Sequence, residues 1–447
     1  MKKGITHRVW DLGSLLKEPA FALCPLLFAV FLFAACFVAP ANESLAAEND
    51  LKLQNLVEEA LKNSPEIQMF DARTAASRFR VPQAKSLPDP MFMFGYQNEG
   101  FKRYTYGEMS DAQWMFSASQ MFPFPGKLGL KGEMAAKEAG GAEASYESTR
   151  RRVVAKIKEQ YSDLFLTYKG IDFLQDMKAL FMRVEDAATA RYSSGMGMQQ
   201  EVLMAQTEKY MLLEKEEMQK QKIQSLEAML NTTVGRDVNA PLGRPEAQTH
   251  PPEAKSLDEL LNKAYEHSPE IRARQRMVAA AEARVKMAEK EYYPDFILAA
   301  NYFNRGGGQF DDMWSLTTTI NVPVFYRTKQ RQAVLEAKAA LAESERMLEA
   351  TRLMVASAIR DTYSMWKTSE RLMDLYKNGL MPKTYQDFEA ALAGYTNGKT
   401  EAITVINRLK ALIDFESLYW AQVAEREKAS ARFEAMTGTV ETGGTAQ

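Results

Sequence analysis

ALKNSPEI at residues 60–67 and AYEHSPEI at residues 264–271 are nearly the same eight residues, written twice in one chain. The likeness continues outside these stretches at a separation of 200 to 206 residues. Further matching pairs are Asp89 and Asp295, Trp114 and Trp314, Ile157 and Ile359, Gly195 and Gly398, and Gly235 and Gly438. A separation that drifts by only a few residues is typical of a duplicated unit with short loop insertions. The sequence therefore predicts two copies of one structural unit, over residues 48–234 and 257–437.

The region between the copies, residues 235–256, is rich in proline and polar residues and is predicted to be an extended linker. The last residues, 438–447, are predicted to be disordered. The chain has 447 residues and a net charge of -2, with no basic run of the kind that follows nucleic-acid phosphates. We therefore expect no nucleic-acid partner.

The N-terminus is typical of an exported protein. Basic residues precede an apolar run at residues 20–39, and small residues follow up to Ala46-Ala47, which predicts a leader over residues 1–47. Cleavage near Ala46-Ala47 is one interpretation. The other takes FAAC, ending at Cys36, as a lipobox, which makes Cys36 a lipidation candidate. The run is also long enough for a membrane anchor, at roughly 20 residues.

Each copy is predicted to contain a short helix, a longer helix, two strands and two long helices. Alternation with period two predicts strand hairpins at about residues 91–122 and 295–323. Strands of about ten residues suit a tilted crossing of a bilayer, although a soluble amphipathic sheet has the same pattern. The fold class is thus mainly α, with a small β part of four strands.

The helices that follow the hairpins are unusually long. Residues from about 126 to 193 form one helical pattern, which predicts a length of about 100 Å. In the second copy, apolar and small residues recur at alternating spacings of three and four, which predicts a coiled-coil seam. Its members are Val334, Ala337, Leu341, Ser344, Leu348, Thr351, Val355, Ala358, Thr362 and Met365. A second seam beside it comprises Ala333, Ala340, Met347 and Met354.

Four strands cannot close a barrel, and an open sheet edge is not tolerated in lipid. If the strands lie in a membrane, copies of the chain must share one barrel. Two copies give a barrel of eight strands, and side chains fill the interior of such a barrel. Three copies give twelve strands and leave a pore.

With these features, the chain resembles the TolC-like outer-membrane efflux proteins. The resemblance rests on the leader, the repeat, the hairpins before very long helices, and the reversals RYSSG…EVLMAQ and GYTNG…ITVIN. It implies a homotrimer in the outer membrane of a Gram-negative bacterium, with a twelve-stranded barrel and a helical tunnel across the periplasm. It also implies a passive duct coupled to a periplasmic adaptor and an inner-membrane pump of the RND type.

The resemblance assigns function to the two reversals. The turns that would contact the adaptor comprise Ser194, Gly195, Met196, Asn397, Gly398 and Lys399. Tyr395 and Glu401 are candidates for the periplasmic gate. Glycine at 195 and 398 supplies the left-handed backbone that such reversals need.

Within the family, LPDPMFMFGYQNEGF and SQMFPFPGKL look most like the heavy-metal efflux branch. Thioethers of Met196, Met198 and Met204 could bind soft metal ions. We expect instead that these methionines fill gaps between helices, and we predict no metal site and no cofactor.

No catalytic motif is present, and the three histidines are His7, His250 and His267. For His267, which lies beside the repeated SPEI, a helix-capping role is expected. The chain as a whole is predicted not to be an enzyme. An exported hydrolase therefore has no candidate nucleophile. The principal alternative to a channel is a periplasmic coiled-coil scaffold without a pore.

Overall fold

The computed structural model describes residues 51–247, 256–306 and 308–438. The leader with Cys36 and Ala46-Ala47, part of the linker and residues 439–447 of the tail lie outside the described residues. Predictions that concern those segments stay predictions.

Both halves of the chain contain the same elements in the same order. The first half comprises α1 (Leu53–Asn63), α2 (Pro65–Lys85), β1 (Met91–Gln97), β2 (Gln113–Phe122), α3 (Lys127–Ser193) and α4 (Gln199–Val234). The second comprises α5 (Leu257–His267), α6 (Pro269–Lys290), β3 (Asp295–Asn304), β4 (Met313–Asn321), α7 (Gln330–Asp374), a π-helical segment (Leu375–Leu380), α8 (Met381–Thr396) and α9 (Ala402–Thr437). Pro65 and Pro269 each occupy the first turn of a helix, where the missing N–H costs nothing.

The π-helical segment interrupts the long helix of the second half, whereas α3 of the first half runs for 67 residues. The prediction of two long helices in each copy contained no such interruption. Pro382 lies two residues after the segment and has no N–H to donate to the carbonyl of residue 378. The wider π turn is one of the ways in which a helix accommodates such a lost hydrogen bond.

The four strands form one antiparallel sheet in the order β1-β2-β3-β4. Its register places Phe94 opposite Phe116, Phe116 opposite Tyr302, and Tyr302 opposite Trp314. One face is therefore apolar and largely exposed, while hydroxyl and amide side chains recur on the other. The second face carries Ser117, Ser119, Asn301, Ser315, Thr317 and Thr319. Within the described chain, β1 and β4 are edge strands that pair on one side only.

Helix α3 packs against four other helices, α2, α4, α6 and α9. Helix α7 packs against α6 and α9. Its predicted seam is correct at Ala337, Thr351 and Val355, which are buried. Beyond Val355 the prediction was correct at the buried Thr362 but wrong by one residue at two positions. Ile359 and Trp366 are buried in the places assigned to Ala358 and Met365, because a straight helix with 3.6 residues per turn drifts against a strict 3.5-residue repeat.

The first part of the linker is packed against the first half. Leu51 N–H donates to Arg244 O (2.7 Å), and Leu51 pairs with Pro245 in a parallel bridge. The buried Tyr161 hydroxyl donates to the carbonyl oxygens of Leu51 (2.7 Å) and Glu246 (2.9 Å). An ion pair between Arg236 and Glu59 adds a further contact. In the described residues, no helix combines the length and the apolar character that crossing a membrane requires.

Candidate functional site at the two helical reversals

The first reversal joins α3 to α4. Gly195 has φ 72°, and its N–H donates to Tyr192 O (3.0 Å). The N–H groups of Met196 (2.9 Å) and Gly197 (3.0 Å) both donate to Arg191 O. These bonds satisfy carbonyls at the end of α3, as a left-handed glycine commonly allows.

The second reversal joins α8 to α9 in the same way. Gly398 has φ 71° and donates its N–H to Tyr395 O (3.0 Å), while Lys399 N–H donates to Gly394 O (2.8 Å). The predicted left-handed glycines are therefore present at both turns.

Arg191 connects the two reversals. Its Cζ lies 4.5 Å from the centre of the Tyr395 ring, in a cation–π contact. One guanidinium nitrogen, Nη1, donates to Tyr395 O, and Nη2 donates to Met196 O (3.0 Å). A single side chain from the first repeat thus holds the backbone of both turns.

Tyr395 is fully buried between the reversals. Its hydroxyl donates to Glu201 Oε2 (2.9 Å), in the first turn of α4. Burial, together with this hydrogen bond to a carboxylate, raises the pKa of Tyr395 to about 12. The phenol therefore stays neutral and donating at physiological pH.

In each turn one glycine lies against a larger residue, but the glycine is on opposite sides of the two turns. A Cβ atom on Gly197 would lie 3.0 Å from Arg191 Cβ, whereas a Cβ atom on Gly394 would lie 2.4 Å from Thr400 Oγ1. Gly195 and Gly398 are equivalent, so Arg191 matches Gly394 and Gly197 matches Thr400. Each turn therefore pairs one glycine with one larger residue, but at exchanged positions.

A large apolar cluster supports the reversals from beneath. It includes Phe181, Phe388, Val405, Ile406 and Leu409, each almost fully buried, from α3, α8 and α9. Arg183 adds a paired contact across the repeats, with Nη1 2.8 Å from Glu389 Oε1 and Nη2 3.1 Å from Glu389 Oε2. The turns therefore rest on a buried apolar base.

The predicted adaptor-contact residues share an exposed environment, whereas the two gate candidates differ from each other. Those predicted to contact an adaptor are all exposed: Ser194, Gly195, Met196, Asn397, Gly398 and Lys399. Glu401 is also exposed, at the N-cap of α9, and makes no side-chain capping hydrogen bond. Tyr395, in contrast, is buried within one chain.

Arg191 and Glu201 were not among the predicted site residues. Both lie inside the quoted reversal of the first repeat, but no local pattern distinguishes them from other charged residues at helix ends. Their partner Tyr395 comes from the other repeat, 204 residues after Arg191.

The methionines of the first turn do not pack as expected. Met196 and Met198 are each 69% exposed, whereas Met204 packs against the apolar cluster. The expectation of gap filling was therefore wrong for Met196 and Met198, because the turn projects them past the last contact between helices. No group of three or more histidine, cysteine, aspartate or glutamate side chains suited to a metal ion occurs among the residues that the structure describes.

His267 does not cap a helix with its side chain. It is the last residue of α5, and its Nδ1 lies 3.1 Å from Arg272 Nη2. Ser268 precedes α6 and makes no side-chain capping bond either.

A family model described as outer membrane efflux protein matches residues 56–236 and 260–439. No curated protein sequence matches the chain. Among solved structures, the outer membrane protein VceC from Vibrio cholerae has a TM-score of 0.73 and 18% identity, covering 86% of this chain and 96% of that chain. A membrane protein from Pseudomonas aeruginosa has a TM-score of 0.75 and 15% identity, covering 88% and 90%. CusC has a TM-score of 0.72 and 13% identity, covering 87% and 92%.

At these identities the solved structures support the fold alone. The family match is the stronger finding, because its two segments correspond to the two repeats. Since those segments cover most of the chain, this protein belongs to the outer membrane efflux protein family, a family of transport proteins and not of enzymes, as the resemblance predicted.

Proposed function

We propose that three copies of the chain form an outer-membrane efflux duct of a Gram-negative bacterium, as a passive exit coupled to a periplasmic adaptor and an inner-membrane pump. The observation that carries the proposal is the open sheet. β1 and β4 each leave one edge unpaired within the described chain, and lipid does not tolerate such edges. Pairing between copies removes both edges.

The two faces of the sheet suit a wall between lipid and water. The apolar face carries a groove of about 670 Å³, lined mainly by Phe92, Phe94, Phe116, Tyr302, Trp314 and Leu316. These side chains are exposed in the single chain, and contact with acyl chains would remove them from water. The hydroxyl and amide side chains of the opposite face would then line the pore.

Three copies fit this wall better than two. Twelve strands leave an aqueous bore, whereas eight are filled by side chains. The exposed Met347 and Met354 of α7 belong to the predicted second seam, and Tyr210 and Met218 of α4 are exposed as well. We assign these surfaces to contacts between copies along the tunnel.

The exposed turns are the proposed adaptor contacts. Met196 and Met198 present flexible apolar side chains, a residue type that suits a helical partner's groove. Ser194, Asn397 and Lys399 add polar groups around them. Gly195 and Gly398 set the shape of the turns.

The cluster of Arg191, Tyr395 and Glu201 is the proposed latch of the closed periplasmic end. It joins the two helical hairpins of one chain, so opening the tunnel by separating the hairpins must break it. Glu401, exposed at the start of α9, is proposed to line the same end. The proposed lipid anchor is Cys36.

The narrower proposal is that the duct serves heavy-metal efflux by an RND-type pump. It rests on the segments at residues 87–101 and 119–128, whose resemblance is to that branch. The metal ion would pass through the duct as substrate. A gene deletion that sensitises cells to metal salts and leaves dye resistance unchanged would support this proposal, whereas the reverse pattern would contradict it.

The duct itself is tested on protein extracted from outer membranes in detergent. We expect a trimer by light scattering and ion conductance after reconstitution in planar bilayers. A monomer that remains in solution without detergent would contradict the duct and favour the periplasmic scaffold.

A further inference from the structure

A buried lysine joins the two repeats where the sheet meets the helices. The side chain of Lys127, at the start of α3, is 2% exposed. Its Nζ donates to Asp295 Oδ1 (2.9 Å) and to Tyr293 O (3.0 Å), and lies 3.4 Å from Glu291 Oε2. A lysine buried to this degree needs such partners, because leaving the charge uncompensated costs several kcal/mol.

The same junction contains two further contacts. Phe124 N–H donates to Asp295 Oδ1 (2.8 Å), and the Phe124 ring stacks on Tyr293 with the ring centres 4.5 Å apart. The connection from β2 to α3 is thus fastened to the residues that begin β3. The Asp295 carboxylate thus accepts hydrogen bonds from both the Lys127 ammonium and the Phe124 N–H that follows the preceding hairpin.

The repeat places equivalent residues at the two edges of the sheet. Asp89, just before β1, matches Asp295. The connection from β4 to α7 matches the connection from β2 to α3 and ends at Lys329. Asp89 and Lys329 are both exposed, and neither has an ion pair or hydrogen bond from its side chain within the described chain. They cannot meet in one copy, since β1 and β4 are opposite edges.

We propose that the Asp89 carboxylate of one copy accepts a hydrogen bond from the Lys329 ammonium of the neighbouring copy. This pair would have the role that Asp295 and Lys127 have within one chain. The inference rests on the proposed ring and identifies a charged contact that closes it. The surrounding surface fits: Val324 and Phe325 are 73% and 78% exposed beside Lys329, and Leu87 is exposed in the place equivalent to Tyr293. Arg327 adds a second exposed cation on the same connection.

This contact makes the ring nearly uniform. Three chains contribute six hairpins, so six junctions between hairpins alternate between pairs within a chain and pairs between chains. Because the unit is duplicated, the same kind of junction serves within a chain and between chains, and in each case the lysine charge is buried. The neighbouring copy contributes the missing half of every second junction.

A charge exchange tests the contact. Asp89→Lys and Lys329→Asp are each expected to lower the fraction of trimer that survives a denaturing detergent on warming, by roughly three- to tenfold, as for directly contacting residues. The double variant is expected to restore most of the loss. Asp71→Lys combined with Lys338→Asp is the matched control, since both residues are exposed on the adjoining helices α2 and α7 and should show no mutual rescue.

Cross-linking provides a second, independent measurement. A chain carrying Asp89→Cys and Lys329→Cys, treated with a short bismaleimide, is expected to yield covalent dimers and trimers on a denaturing gel, while each single variant does not. If trimers form but show neither rescue nor cross-linking between chains, this pairing is overturned and the duct stands. If the wild-type chain is a monomer in detergent, both proposals fail.

Discussion

Gly235 lies directly against the backbone of Asn63: a Cβ atom on Gly235 would be 2.5 Å from the Asn63 carbonyl oxygen. Gly438 and His267 repeat the relationship in the second half at 2.6 Å. Both glycines have positive φ, 97° and 73°, and both end a long helix. The ends of α4 and α9 are therefore held against the short helices that precede the SPEI stretches.

Replacing Gly235 or Gly438 by alanine should destabilise the protein by about 1 to 3 kcal/mol each, through backbone strain and the clash. The measurement is the loss of helical circular dichroism on heating at a fixed rate. Gly129→Ala is the control. This glycine is exposed within α3 with nothing within 4 Å of its Cβ position, so alanine should stabilise the helix by up to about 1 kcal/mol. Equal melting curves for all three variants would contradict the prediction.

Tyr395→Phe should weaken the proposed latch while keeping the ring beneath Arg191. The variant loses the hydrogen bond to Glu201 and leaves that carboxylate without its donor, at a cost of about 1 to 3 kcal/mol. We expect a higher mean conductance in planar bilayers. Tyr192→Phe is the control, since Tyr192 is the equivalent residue of the first turn and is 49% exposed. Unchanged conductance in Tyr395→Phe would count against a latch at this site.

Alkaline pH should remove the contribution of the Tyr395 hydroxyl. Its pKa is raised to about 12 in the folded protein, whereas an unfolded tyrosine has a pKa of about 10. The folded state therefore retains the proton longer, so this contribution is fully present below pH 10 and is lost as pH rises to about 12. The measurement is the difference in melting temperature between wild type and Tyr395→Phe across this range. A constant difference would contradict the assignment.

The exchanged glycines of the two turns predict a rescue. Gly394→Ala should destabilise the second reversal, because its Cβ would meet Thr400 Oγ1 at 2.4 Å. Adding Thr400→Gly, which reproduces the residue found at Gly197, should recover much of the loss in melting temperature. A double variant as unstable as the sum of the single changes would show that the two residues are not coupled.

The sequence by itself determined the features that repeat or depend on local conformation. The SPEI stretches predicted the duplication, and period-two alternation predicted the four strands. Gly195 and Gly398, each of which follows a long helical pattern, predicted the two turns. Local rules suffice for these elements, since helix length, strand faces and left-handed turns depend on neighbouring residues in the chain.

Only the tertiary structure decided which of two equivalent residues is buried and paired. Tyr192 and Tyr395 occupy the same place in the two turns, yet Tyr395 is buried beneath Arg191 and Tyr192 is exposed. Lys127 is buried against the second repeat, whereas Lys329 is exposed at a sheet edge. The physical reason is that burial and pairing depend on side chains about two hundred residues away, and a pattern within one repeat contains no information about them.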